Sequence, residues 1–100
     1  MKVALIQTRT PATHDAALAH VLPMVRDAAA QGARFIATPE GTNLLQKDRA
    51  VLLPMLKSLE EDVVVAGLRA AARDLGAWIL IGSALVKRQD GKAANRSVLV

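Results

Sequence analysis

The feature that most constrains this chain is the spacing of its first two apolar runs. Residues 2–8 contain the short apolar run of a buried strand, and residues 34–38 begin a second one soon after Gly32. Between them, apolar side chains recur at spacings of three and four, which predicts a helix with one apolar face. The members of that face are Leu18, Val21, Leu22, Val25 and Ala29. Strand, helix and strand in this order predict a βαβ unit with parallel strands and a right-handed crossover.

The predicted helix has clear ends and one internal conflict. Thr13 is a suitable N-cap with Asp15 in the first turn, and Gly32 is a natural terminator. Pro23 removes one hydrogen bond of the helix at a cost of about 3 kcal/mol, so we expect a kink there and not an end.

The second half of the chain predicts two more helices and two more strands. The helices cover residues 48–59 and 61–75, and the third strand covers residues 78–86. After an Asp90-Gly91 turn, a fourth strand runs through residues 97–100 and should be antiparallel to the third. These elements predict an α/β fold with a mixed sheet and flanking helices.

Composition excludes several classes of protein. Of the 100 residues, 52% are apolar and 22% charged, which argues against disorder and for a single core. The apolar runs are too short for a membrane span, and the N-terminus lacks the pattern of a signal peptide, so we expect a cytoplasmic protein.

The basic charge does not indicate a nucleic-acid partner. The net charge is +4, but the basic residues are scattered, and Phe35 and Trp78 are the whole aromatic content. There is no cysteine, hence no thiol nucleophile or thiolate metal site within these residues. His14 and His20 lie six apart, on different helix faces, so a shared metal ion is not expected.

Glu40 is the acidic residue with the most informative position. Pro39 cannot donate to a sheet, so the second strand should end there and leave Glu40 beyond its carboxyl end. Catalytic groups of open α/β sheets collect at that edge, and the other acids fall in helix turns or loops. Position alone leaves two interpretations open, a functional group or a solvated loop carboxylate.

Several segments together resemble the nitrilase superfamily of carbon–nitrogen hydrolases, and its amidase branches more than the true nitrilases. These segments are Met1 to Gln7, Ala28 to Ala33, Phe35 to Glu40, Ile81-Gly82-Ser83 and Asn95 to Val98. The resemblance implies that residues 1–100 are the N-terminal portion of one longer catalytic domain, an α-β-β-α sandwich. The chain ends inside an apolar strand, which also favours a continuation.

The resemblance also implies a mechanism. In that family the glutamate of the Pro-Glu motif is the general base, which assigns this role to Glu40. A later lysine and a later cysteine complete the triad, and neither has a matching position here. A small carboxamide as substrate, no metal or cofactor, and a homodimer or higher homo-oligomer are implied as well.

The sequence leaves alternatives to the catalytic assignment open. The chain could be a non-catalytic α/β binding or interaction module whose last strand pairs with a partner. It could also be a superfamily member that has lost its cysteine. Gly41-Thr42-Asn43 could line a substrate pocket or form an ordinary turn, whereas Asn95 is interpreted as structural.

Overall fold

The chain forms one four-stranded mixed sheet with helices. A computed structural model describes residues 1–100. Its elements are β1 (Val3–Leu5), α1 (His14–Ala30), β2 (Phe35–Thr38), α2 (Arg49–Met55), α3 (Val63–Leu75), β3 (Trp78–Lys87) and β4 (Ala93–Leu99). The strand order is β1-β2-β3-β4, with β1, β2 and β3 parallel and β4 antiparallel to β3. The predicted βαβ unit, antiparallel last pair and α/β class are confirmed.

Several element boundaries differ from the prediction. β1 is only three residues long, although Ile6 still donates its N–H to the Ala37 carbonyl. β4 begins at Ala93, earlier than predicted, because the turn at Asp90-Gly91 is tight and pairing with β3 starts at Lys87. α3 begins at Val63, two residues after the predicted start.

Proline acts differently in α1 and in α2. The prediction extends α2 to Leu59, but the helix ends at Met55, one residue after Pro54, which cannot donate to the carbonyl four residues back. α1 contains Pro23 and nevertheless continues to Ala30, as predicted. α1 holds Val21 and Val25 fully buried on either side of its proline, whereas α2 has no buried residue. Burial therefore offsets the lost hydrogen bond in α1 only.

The core lies on one face of the sheet. Ile36, Ile79 and Ile81 point toward α1 and α3 and are completely buried. Because side chains alternate along a strand, their neighbours point to the opposite face, where Trp78 is 57% exposed and Leu5 84%. One face is thus covered by helices and the other is apolar and open. None of the helices has the length and hydropathy that would be needed to cross a bilayer.

Candidate active site

Glu40 lies in the loop that follows β2, at the carboxyl end of the parallel strands. The pairing of β2 with β3 ends at Thr38 and Ile81, and β3 then continues to Lys87 without β2 beside it. Glu40 occupies a turn with Gly41, whose φ of +68° is a conformation that favours glycine. The side chain of Glu40 is exposed. The predicted position of Glu40 in the fold is therefore confirmed.

The loop after Glu40 covers the edge of β3 that β2 leaves free. Thr42 donates its backbone N–H to the Ser83 carbonyl at 3.0 Å. The side chain of Asn43 then replaces a strand, because its Oδ1 accepts from the Leu85 N–H at 2.9 Å and its Nδ2 donates to the Leu85 carbonyl at 2.7 Å. These bonds satisfy edge groups that would otherwise be unpaired inside the protein.

Three further hydrogen bonds fix the same loop. The hydroxyl of Thr42 hydrogen bonds to the Pro39 carbonyl and to the hydroxyl of Thr38, the last residue of β2. Leu45 donates its N–H to the Pro11 carbonyl at 2.9 Å, which ties the loop to the connection between β1 and α1. Thr42 and Asn43 are completely or almost completely buried. Glu40 is therefore an exposed carboxylate next to a rigidly held segment.

A buried carboxylate lies behind this loop. Asp62 is the N-cap of α3, and its Oδ1 accepts from the backbone N–H groups of Val64 at 2.9 Å and Val65 at 3.1 Å. Its Oδ2 accepts from Asn43 Nδ2 at 2.7 Å. Asp62 is completely buried, and these three N–H donors compensate for its lost hydration.

The imidazole of His14 completes this cluster. Its Nε2 lies 3.4 Å from Asp62 Oδ2, is itself buried and makes no hydrogen bond. The other histidine, His20, accepts a hydrogen bond from the Arg9 N–H at 3.1 Å. The two histidines thus have separate surroundings, in agreement with their separate helix faces.

The sequence pattern does not reveal the role of Asp62, and it leaves the role of Asn43 undecided. It places Asp62 correctly at the start of a helix, but an N-cap aspartate is usually solvated, and nothing in the pattern signals its burial. For Asn43 it allows a pocket residue or a turn residue. In the structure, the Asn43 side chain makes all its hydrogen bonds with the backbone of β3 and with Asp62. The lysines that follow Glu40 in the chain are all exposed: Lys47, Lys57, Lys87 and Lys92.

Fold and site together define an α/β protein with a candidate acid at the carboxyl edge of parallel strands. The family model for carbon-nitrogen hydrolases matches residues 2–100. The chain therefore belongs to the carbon–nitrogen hydrolase family, the nitrilase superfamily, as the sequence motifs indicated. A search of curated proteins finds no match. The mixed sheet with helices on one face fits part of a nitrilase-like α-β-β-α sandwich.

Proposed function

We propose that this chain supplies the general base, Glu40, of an amidase that hydrolyses a small carboxamide to a carboxylate and ammonia. The observation that supports the proposal is the position of Glu40, exposed at the carboxyl edge of the sheet and next to a loop held by buried hydrogen bonds. In this proposal residues 1–100 are the N-terminal portion of a single catalytic domain. A lysine and a cysteine from residues that follow Val100 complete the triad.

The proposed reaction has two stages. Glu40 accepts the proton of the cysteine thiol, and the thiolate attacks the amide carbon to form a tetrahedral intermediate. The lysine ammonium stabilises the negative oxygen of that intermediate. Glu40 returns the proton to the nitrogen, and the carbon–nitrogen bond breaks. Ammonia departs, and the acyl group remains bound to the cysteine as a thioester.

Water completes the second stage. Glu40, again a carboxylate, accepts a proton from the attacking water, and the oxygen forms a bond to the acyl carbon. The carbon–sulfur bond then breaks, and the proton held by Glu40 restores the thiol. No metal or cofactor takes part. The proposal includes a homodimer or higher homo-oligomer in the cytoplasm, with neither a nucleic-acid partner nor a membrane.

The test is the substitution Glu40→Gln in the complete protein. Glutamine has nearly the same shape but cannot accept a proton at neutral pH, so turnover of succinamate or propionamide, followed by ammonia release, should fall by about 10²–10⁴-fold. Glu60→Gln is the matched control, because Glu60 is also exposed but lies in the connection between α2 and α3. It should retain turnover within about twofold, since surface changes away from a site have small effects.

Two results would contradict the proposal. Full activity of Glu40→Gln would show that Glu40 is not the general base and is only a solvated carboxylate in a loop. An absence of amide hydrolysis in the unaltered complete protein would favour either a nitrile substrate, which a parallel assay with propionitrile would detect, or the non-catalytic binding module.

A further inference from the structure

We propose that Asp62 is a positioning residue for Glu40, acting through Asn43. The inference rests on the proposed function, in which Glu40 is the general base. It assigns a catalytic consequence to a buried carboxylate that makes no hydrogen bond with Glu40 itself. The observation behind it is that one side chain, Asn43, joins Asp62 to the loop of Glu40.

The amide of Asn43 has a single satisfactory orientation. Its Oδ1 accepts from the Leu85 N–H, and its Nδ2 donates both to the Leu85 carbonyl and to Asp62 Oδ2. A flipped amide would direct its NH₂ group at the Leu85 N–H and its oxygen at two acceptors. Asp62 therefore specifies how Asn43 binds β3.

Helix capping alone does not account for a buried carboxylate at this position. Burying a charge is costly, and asparagine or serine caps a helix about as well as aspartate. α2 provides the comparison, because its N-cap Asp48 is exposed and the side chain of Asp48 accepts only from the Ala50 N–H. In Asp62 one oxygen caps α3 and the other binds Asn43. The same Oδ2 also lies 3.4 Å from His14 Nε2, and these contacts of Oδ2 distinguish this carboxylate from an ordinary cap.

The connection to Glu40 is short and contains little freedom. Asn43 follows Glu40 by three residues, and the intervening Thr42 is bonded to Ser83 and Thr38. Loosening Asn43 frees one end of this segment and lets the turn at Glu40 shift. A displacement of about 1 Å at a catalytic group costs up to about 10²-fold in rate.

Two substitutions in the complete protein separate capping from positioning. Asp62→Asn preserves shape and can cap α3 through its oxygen, but its NH₂ group then faces the NH₂ group of Asn43. Asp62→Ser also caps a helix but is too short to reach Asn43. Asp48→Asn and Asp48→Ser make the same changes at a cap that lies away from Asn43. Having two variants keeps the test valid if one of them does not fold.

The expected result is a loss in kcat with little change in KM. Succinamate turnover per mole of folded enzyme, with the folded fraction taken from the thermal transition, should fall about 10–100-fold for the Asp62 variants. Their KM should stay within about twofold, and the Asp48 variants should match the unaltered enzyme. In a Glu40→Gln background, Asp62→Asn should reduce turnover by less than about twofold, because the base that it positions is already absent.

Failure of this inference differs from failure of the proposed function. If Glu40→Gln loses activity but Asp62→Asn keeps its kcat, or reduces it equally in both backgrounds, Asp62 has no positioning role. If Glu40→Gln keeps full activity, the proposed function itself is wrong. If turnover by the double variant falls to the uncatalysed rate, the single Asp62 variants provide the test. A loss of kcat with little change in KM then supports the positioning role, and an unchanged kcat contradicts it.

Discussion

At the scale of single residues, two asparagines of this chain show how context decides a role. Asn43 is completely buried and makes three hydrogen bonds, two with the backbone of Leu85 and one with Asp62. Asn95 is exposed, and its Oδ1 accepts one bond from the Ser83 hydroxyl at 3.3 Å. Each buried polar group that loses its hydrogen-bond partner costs about 1–3 kcal/mol, whereas an exposed group forms a hydrogen bond with water instead.

Asn43→Ala should therefore destabilise the protein far more than Asn95→Ala. The first change leaves the N–H and carbonyl of Leu85 unpaired, and we expect the free energy of unfolding to fall by about 3 kcal/mol. The second should lower it by less than about 1 kcal/mol. Urea unfolding at equilibrium measures both. Equal losses would mean that water satisfies the edge of β3 once Asn43 is gone.

At the scale of elements, the helix layer depends on how closely α1 approaches α3. Gly67 lies in α3, and a Cβ atom built at this position would be 2.6 Å from Leu18 Cδ1 of α1. That separation is well inside van der Waals contact, so the glycine leaves space for the leucine. Glycine in a helix costs about 1 kcal/mol relative to alanine, and close packing of the two helices offsets that cost.

A double-mutant cycle on Gly67 and Leu18 should reveal this contact. Gly67→Ala should be less favourable in the wild-type background than in a Leu18→Ala background by at least about 1 kcal/mol, because the methyl group overlaps the leucine only in the former. Urea unfolding of the four proteins gives the coupling energy. Ala70→Gly, at an exposed position of the same helix, should cost about 1 kcal/mol in both backgrounds. A coupling near zero for Gly67 would show that Leu18 simply rotates away.

At the scale of the whole molecule, the two faces of the sheet are unequal. The face toward α1 and α3 carries the completely buried Ile36, Ile79 and Ile81, whereas Leu5 on the other face is 84% exposed. Both faces are apolar, as in a sheet that lies between two layers. The open face is compatible with part of a nitrilase-like α-β-β-α sandwich, in which two sheets pack face to face.

Stability should follow this asymmetry. In the 100-residue chain, Ile79→Ala should lower the free energy of unfolding by about 2–5 kcal/mol, because the cavity forms in a packed core. Leu5→Ala should change it by less than about 0.5 kcal/mol, because the side chain is mostly in water. In a longer chain whose second sheet covers this face, Leu5→Ala should approach the cost of Ile79→Ala. Urea unfolding checks each value, and a large cost for Leu5→Ala in the 100-residue chain would show that the face is already covered there.

Features that depend on local pattern can be predicted from the amino-acid sequence. The apolar stripe of α1, the cap at Thr13 and the terminator at Gly32 define the first helix within a residue or two, because capping and amphipathic periodicity are local effects. The short runs that flank α1 fixed the βαβ order, and Pro39 fixed the end of β2 next to Glu40. The order of five short segments, among them Phe35 to Glu40, indicated the carbon–nitrogen hydrolase family that the family model also matches.

Features that join residues distant in sequence depend on how the chain packs. Asn43 meets Leu85 and Asp62 only because β3 extends beyond β2 and α3 begins beside that extension. Pro23 and Pro54 each remove one backbone hydrogen bond from a helix. Their different outcomes depend on the burial of the helix around them. Burial and side-chain pairing are properties of the packed chain, so local pattern could place Asp62 at a helix start but could not reveal that it is buried against the loop of Glu40.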